Sequence, residues 1–162
     1  MGRQAAHAKR GFSLIELVVV VVILAALATI AVPRAAHAAS RARHTAFVSH
    51  LRALVHAAEV HLQTADAPFI DSHSAEMPTE FEGVFDEEDW ENDSPIGGEW
   101  DLESNDVGVG LAIGINNFDG AAEIADLVAV DRLIDDGRLT SGNFREIYKD
   151  RYFWVVREQP VR

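Results

Sequence analysis

Gly11-Phe12-Ser13-Leu14-Ile15-Glu16-Leu17, followed directly by Val18-Val19-Val20-Val21-Val22-Ile23-Leu24-Ala25-Ala26-Leu27-Ala28, decides how the rest of this 162-residue chain is read. From Phe12 to Val32 the one charged side chain is Glu16. About 20 consecutive apolar residues are what a helix needs to cross the hydrocarbon core of a bilayer, so the stretch predicts a membrane span. A lone carboxylate in such a span costs roughly 2.5–3.5 kcal/mol unless something pairs with it. Glu16 is therefore the first candidate functional residue. Met1 to Gly11 brings Arg3, Lys9 and Arg10 up to the apolar run, as a cytoplasmic flank does. Arg34, Arg41 and Arg43 just beyond the span equal that count, so charge alone does not orient the segment.

Gly-Phe-Ser-Leu-Ile-Glu-Leu ahead of an apolar run resembles the N-terminal signature of the type IV pilin and type II secretion pseudopilin family. The resemblance implies cleavage by a prepilin peptidase after Gly11, methylation of the new terminal amine on Phe12, and a pairing role for Glu16 with a neighbouring subunit's amine. Pro33 is residue 22 counted from Phe12, where many members of the family carry a proline that disturbs the helix. The mid-span glycine of several members is absent here, its place falling in Leu24-Ala25-Ala26. The family further implies as partners identical or related pilin subunits in a helical filament, the inner-membrane assembly machinery and the membrane itself. It implies a single-pass protein of the bacterial inner membrane with its head exported, ending in a periplasmic pseudopilus or a cell-surface pilus.

A rival route is an ordinary signal peptide, whose basic start, apolar stretch and small-residue site are matched by Ala36-His37-Ala38 ahead of Ala39. Cleavage after Ala38 would release a soluble binding or enzymatic domain. That route leaves Glu16 unexplained inside the apolar region and crowds Arg34 against the cleavage site.

Charge is unevenly distributed along the chain. Residues 1–60 hold seven of the 14 Lys/Arg but two of the 26 Asp/Glu, which leaves seven basic against 24 acidic residues in 61–162, about −17. Such a surface opposes a nucleic-acid groove, which needs clustered Lys and Arg. With no cysteine the exported part cannot be stapled by disulfides, so its core must come from packing alone. The expected organisation is a cleaved leader 1–11, a transmembrane and assembly helix 12–33, an amphipathic helix 34–65 and an acidic globular head 66–162.

Beyond Pro33, Phe47, Leu51, Leu54, Ala58 and Leu62 recur at helical spacing. Asp66-Ala67-Pro68 should end the run. Phe12 to Thr64 is thus expected as one helix of roughly 80 Å, kinked or locally opened near Pro33. His37, His44, His50, His56 and His61 dot its second half, but none of the pairs that project together has the i, i+4 spacing of a helical metal site. They read as solvated or interhelical polar positions.

From Phe69 to Pro95 the periodicity fades into a loop-rich, acidic connection. Its run Asp86-Glu87-Glu88-Asp89-Trp90-Glu91-Asn92-Asp93 reads as a solvated loop; a calcium site on Asp86, Glu87, Glu88, Asp89 and Asp93 is the alternative, since hard cations want several oxygens. The spacing matches no EF-hand, and no cofactor is expected. Glu99 to Leu102 and Val107 to Ile115 read as strands, the second with glycines alternating with apolar residues so that one face is nearly bare. Ala121 to about Asp135 reads as a helix with Ile124, Leu127, Val128 and Ile134 inward and Glu123 and Asp126 solvated, breaking early if Asp131, in line with Ile124 and Val128, is not tolerated. Gly137 is the expected stop. Arg138 to Tyr148 and Arg151 to Arg157 read as two strands joined at Lys149-Asp150.

A long helix followed by a small, mostly antiparallel sheet is an α+β arrangement, and it resembles a pilin head. Asp135-Asp136-Gly137-Arg138-Leu139-Thr140-Ser141-Gly142 also resembles a segment of some bacterial pilin-like proteins. No nucleophile, base and orienting residue converge in a recognisable pattern, so a structural rather than an enzymatic role is expected.

Overall fold

The first helix, α1, spans Leu14–Thr64 and passes through Pro33 without a break in assignment. The missing N–H of Pro33 costs one backbone bond; the strong helix former Ala, at 28 and 31 before it and at 35, 36, 38 and 39 after it, keeps the ladder going. The computed structural model describes residues 12–64, 69 and 76–159. The expected leader 1–11 and the expected stop at Asp66-Ala67-Pro68 lie outside the described residues. The chain divides into two compact units, Met1–Ser40 and Arg41–Arg162.

In the first unit the helix is apolar on all sides. Its most apolar 18-residue window has mean hydropathy 3.0 and none of it is buried in the protein. A helix that is hydrophobic all round needs an apolar solvent or a neighbour to cover it. Length and composition suffice to cross a membrane.

In the second unit, α1 has one inward stripe, Phe47, Leu51, Leu54 and Ala58, as the 3.6-residue period predicts. It packs on a four-stranded antiparallel sheet built from β1 (Glu99–Ser104), β2 (Val109–Asn116), β3 (Phe144–Tyr148) and β4 (Arg151–Glu158), in the spatial order β1-β2-β4-β3. Phe47 stacks on Trp100 of β1, ring centroids 5.0 Å apart, and meets Phe144 of β3 edge-on at 6.2 Å. Trp100, Leu102, Leu111, Ile113, Ile115 and Tyr152 supply the same face of the sheet, alternating as pleated strands do. The fold is α+β, with the long N-terminal helix on the sheet.

The bare face of β2 is real, but what approaches it is the next strand rather than an element laid over it. A Cβ on Gly114 would overlap the Tyr152 carbonyl oxygen and come within 2.5 Å of Phe153 Cα. Phe153, the cross-strand partner of Gly114, is fully buried and clusters with Ala112, Val109 and Val155 on the reverse face of the sheet.

Between the long helix and the sheet the chain is less irregular than its composition suggests. A 3-10 turn spans Thr79–Phe81 and a short helix, α2, spans Glu87–Glu91. Asp86 caps α2 by accepting the Glu88 N–H at 2.9 Å, and Trp90, 1% exposed, pins it to the core while the carboxylates face outward.

The second core helix, α3, spans Ile124–Ile134 and corrects the expected face. Leu127, Val130 and Asp131 are buried, Ile134 is half-buried, and Ile124 is exposed. The helix does not break before Asp131; it carries that side chain into the core. Residues 138–143 form a turn, not the first half of a strand. Asp136 accepts the Arg138 N–H at 2.8 Å and the Ser141 hydroxyl at 2.7 Å, and Asp135 accepts the N–H groups of Asn143 and Phe144. Gly137 is left-handed at φ 77°, two residues beyond the C-cap Asp135.

Candidate functional site

Glu16 stands in the first turn of α1, and Ser13 precedes that helix. The Ser13 carbonyl accepts the first helical bond from the Leu17 N–H at 3.2 Å, and the Ser13 N–H donates to Glu16 Oε2 at 2.9 Å. This is one arm of a capping box, in which the residue three positions into the helix reaches back to satisfy an orphan donor. The Ser-x-x-Glu spacing was the signal for it, overlooked beside the rarity of a carboxylate in an apolar run. The negative charge also suits the positive end of the helix dipole.

Phe12, Ile15, Glu16, Val19 and Val20 line one side of the helix. The carboxylate thus sits in an otherwise apolar, fully exposed stripe with Phe12 on the same face. The cap engages one carboxylate oxygen and does not remove the charge. Gly11 lies outside the described residues. Ala36 to Ala39, the alternative cleavage region, lie within the helix.

The histidines of α1 separate by environment. His44 is buried, and its Nε2 lies 2.6 Å from Asp126 Oδ1 on α3, with Arg43 3.7 Å from the other oxygen of the same carboxylate. Asp126 is therefore not solvated as expected; it ties α1 to α3. His50 packs edge-on against Phe85 with ring centroids 5.2 Å apart, and His61 lies 4.6 Å from Phe69. His37 and His56 are exposed. The spacing alone could not reveal the Asp126 pairing, because its partner lies 82 residues away.

Asp131 was noted for breaking the apolar stripe, but its consequence was not foreseen. It is 0% exposed and neither carboxylate oxygen has a hydrogen-bond partner among the described residues. Burial, then the charges of Asp136 and Asp135, raise its pKa above the ordinary carboxylate value; the backbone amides of Gly137 and Arg138 act in the opposite direction. Tyr152 is likewise raised by burial, then by Glu146 and Asp150.

Among the described residues no group of three His, Cys, Asp or Glu side chains is placed to hold a metal ion. Of the five calcium candidates, Asp86 is engaged as the α2 cap, and Glu87, Glu88 and Asp89 lie on the outside of that helix. Asp93 forms an isolated antiparallel bridge with Glu99.

No curated protein and no solved structure matches this chain. Residues 6–32 match the family model described as the prokaryotic N-terminal methylation motif. That match spans the Gly11-Phe12 pair, the Ser13–Glu16 cap and much of the membrane-length apolar helix, and the motif is the N-terminal signature found in type IV pilins and pseudopilins.

Proposed function

We propose that this protein is a structural, non-enzymatic subunit of a type IV pilus or a type II secretion pseudopilus. In this reading a prepilin peptidase cuts after Gly11, the amine of Phe12 is methylated, the head is exported, and the inner-membrane machinery packs the α1 helices into a filament core. The observation that carries it is Glu16, a single carboxylate on the exposed face of a helix that is apolar over the length of a bilayer, within the matched motif.

The physical reason is charge balance in a low-dielectric medium. Cleavage creates a cation on Phe12 and leaves Glu16 an anion; each alone is costly. Subunits stacked so that one amine meets another chain's Glu16 offset both costs and fix the axial register, which valines and leucines alone cannot do. Methylation leaves the amine able to carry its charge.

Mass spectrometry of the N-terminal peptide tests the processing step. The expected mature terminus is methylated Phe12, and a terminus at Ala39 would overturn the reading in favour of a secreted soluble domain. Glu16→Val tests assembly: the variant should insert and be processed but yield few or no sheared filaments, with Glu16→Asp intermediate because its carboxylate reaches less far. Wild-type filament yield from processed Glu16→Val protein would remove the pairing role.

A further inference from the structure

Among the described residues of the second unit six large apolar side chains are exposed, and Phe118, Ile124 and Tyr148 are three of them, at 61, 55 and 61%. Phe118 and Ile124 line one shallow depression between the β2–α3 connection and the β3–β4 turn, rimmed by Asp119, Glu123 and Asp150. An exposed aromatic usually loses side-chain freedom on docking, but this one is already held. The Arg151 guanidinium lies over the Phe118 ring at 5.4 Å and over Tyr148 at 6.0 Å. Arg151 is itself anchored by an ion pair to Glu103, whose side chain is 4% exposed. The connection is braced as well. The Asn117 N–H donates to the Asp150 carbonyl at 2.8 Å, and the Asn117 side chain bonds both the N–H and the carbonyl of Ala122. A rigid exposed ring inside a polar rim is the composition of an interface anchor.

The rim specifies the occupant. With Arg151 compensated by Glu103, the carboxylates of Asp119, Glu123 and Asp150 outweigh the one neighbouring cation, Lys149. The surface asks for a small-residue segment carrying positive charge. The chain contains one: Arg34, Ala38 and Arg41 recur at i, i+4 and i+7 on α1, with His37 beside them. Arg34 and Arg41 are exposed and have no ion-pair partner among the described residues, whereas Arg43, one position further, pairs with Asp126. Ala38 between the arginines lets a facing surface come close, and the arginines lie about 10 Å apart along the helix.

We propose that the Phe118–Ile124 depression docks the Arg34–Arg41 face of α1 from a second copy of this chain, its acidic rim pairing with the two arginines. The contact rests on the subunit reading above and names the surface through which a head meets a neighbouring helix. Complementary charge selects the partner face, and the braced ring supplies the desolvated contact.

Because the chain has no cysteine, site-directed cross-linking reads this contact directly. Two differently tagged full-length copies, one Ala38→Cys and one Ala121→Cys, are co-expressed and treated with a short bis-maleimide in intact membranes and in sheared filaments. Ala38 lies between the two arginines and Ala121 beside the depression; both are exposed and neither carries a pairing charge. The expected product is a dimer carrying both tags. It should be absent when Ala121→Cys is replaced by Val84→Cys, an exposed position outside the depression. It should be lost with Arg34→Glu in the Ala38→Cys copy and return when Glu123→Arg, at a position that makes no side-chain capping bond, is added to the Ala121→Cys copy. No mixed dimer in membranes or filaments, or a dimer equally strong with Val84→Cys or indifferent to Arg34→Glu, overturns the docking proposal. Filaments that form normally without the cross-link overturn it while leaving the subunit reading intact. A mixed dimer in membranes of cells that make no filaments supports the contact and counts against the subunit reading.

Discussion

Replacing Asp131 by Asn should stabilise the second unit at neutral and alkaline pH and do nothing at acid pH. Asp131 is fully buried and, among the described residues, neither carboxylate oxygen makes a well-formed hydrogen bond; burial and the like charges of Asp136 and Asp135 outweigh the nearby Gly137 and Arg138 amides. Its folded-state pKa is therefore raised above the unfolded value. Between those two values the folded state holds the proton that the unfolded chain has released, so stability falls as pH rises through the window. The contribution is fully present below the unfolded pKa, near the ordinary carboxylate value of 3.8, and lost above the folded one. Each unit of elevation costs the folded state about 1.4 kcal/mol at high pH. Asn has nearly the same volume and never ionises. Its amide still lacks partners, so it should match the protonated wild type in acid and exceed the wild type at pH 8 by that ionisation cost, about 1.4 kcal/mol for each unit by which the carboxyl is raised. For a domain of this size that is a rise in Tm of about 4 °C per kcal/mol. The assay is thermal unfolding of detergent-solubilised full-length protein, followed by near-ultraviolet circular dichroism from pH 3 to 9. A Tm difference that is constant across that range, or Asp131→Asn less stable at pH 8, would refute the assignment of an uncompensated buried carboxylate.

Gly114→Ala should destabilise by at least about 2 kcal/mol, because the new methyl meets β4 backbone that cannot swing aside; chemical denaturation measures it, and a neutral result would mean that β2 and β4 are further apart. Phe47→Ala should cost about 3–5 kcal/mol, removing the ring between Trp100 and Phe144; unchanged Trp fluorescence and denaturation midpoint would contradict the stack. Asp126→Asn keeps the shape but loses the charged acceptor facing His44, an expected loss of about 1.5–3 kcal/mol in the same denaturation assay. Arg43→Ala, removing the exposed 3.7 Å member of that cluster, should cost under about 1 kcal/mol.

The sequence was legible where a period ran long enough to average out exceptions. The α1 stripe from Phe47 to Ala58, strands β1, β2 and β4, and the second half of the expected strand over 138–148 were found in place because burial on one side of each element writes itself into spacing. Three local readings needed information from elsewhere in the chain. The face of α3 was placed on Ile124, Leu127, Val128 and Ile134; Leu127 and half-buried Ile134 do turn inward, but Ile124 is exposed and Val130 and Asp131 complete the core, since hydropathy cannot put a carboxylate inside. Residues 138–143 carry no helical pattern and passed for strand, but Asp135 and Asp136 fold them into a turn through four side-chain bonds to following residues. The acidic run looked like solvated loop because α2 is too short to show a period, and what defines it is Asp86 at one end and buried Trp90 at the other. At the site itself, Glu16 stood out as a lone charge, but its local bond to Ser13 did not.

That local bond bears on how a featureless helix acquires register. Within one chain the Ser13 N–H occupies one oxygen of Glu16 and orients the carboxylate at the first turn. The remaining oxygen and the full negative charge stay available for a cation brought by a neighbour. A single charged contact in an apolar bundle sets an axial position but leaves each helix free to tilt about it. The Arg34 face lies 18 residues further along the same helix, about 27 Å at 1.5 Å per residue. On the subunit reading, a copy that satisfies Glu16 at one level and the acidic rim around Phe118 at another is fixed at two points. Once the first contact forms, the second is intramolecular and needs little intrinsic affinity of its own. Weak, exposed ion pairs, worth at most about 1 kcal/mol each, are then enough to select one arrangement among many of similar hydrophobic energy.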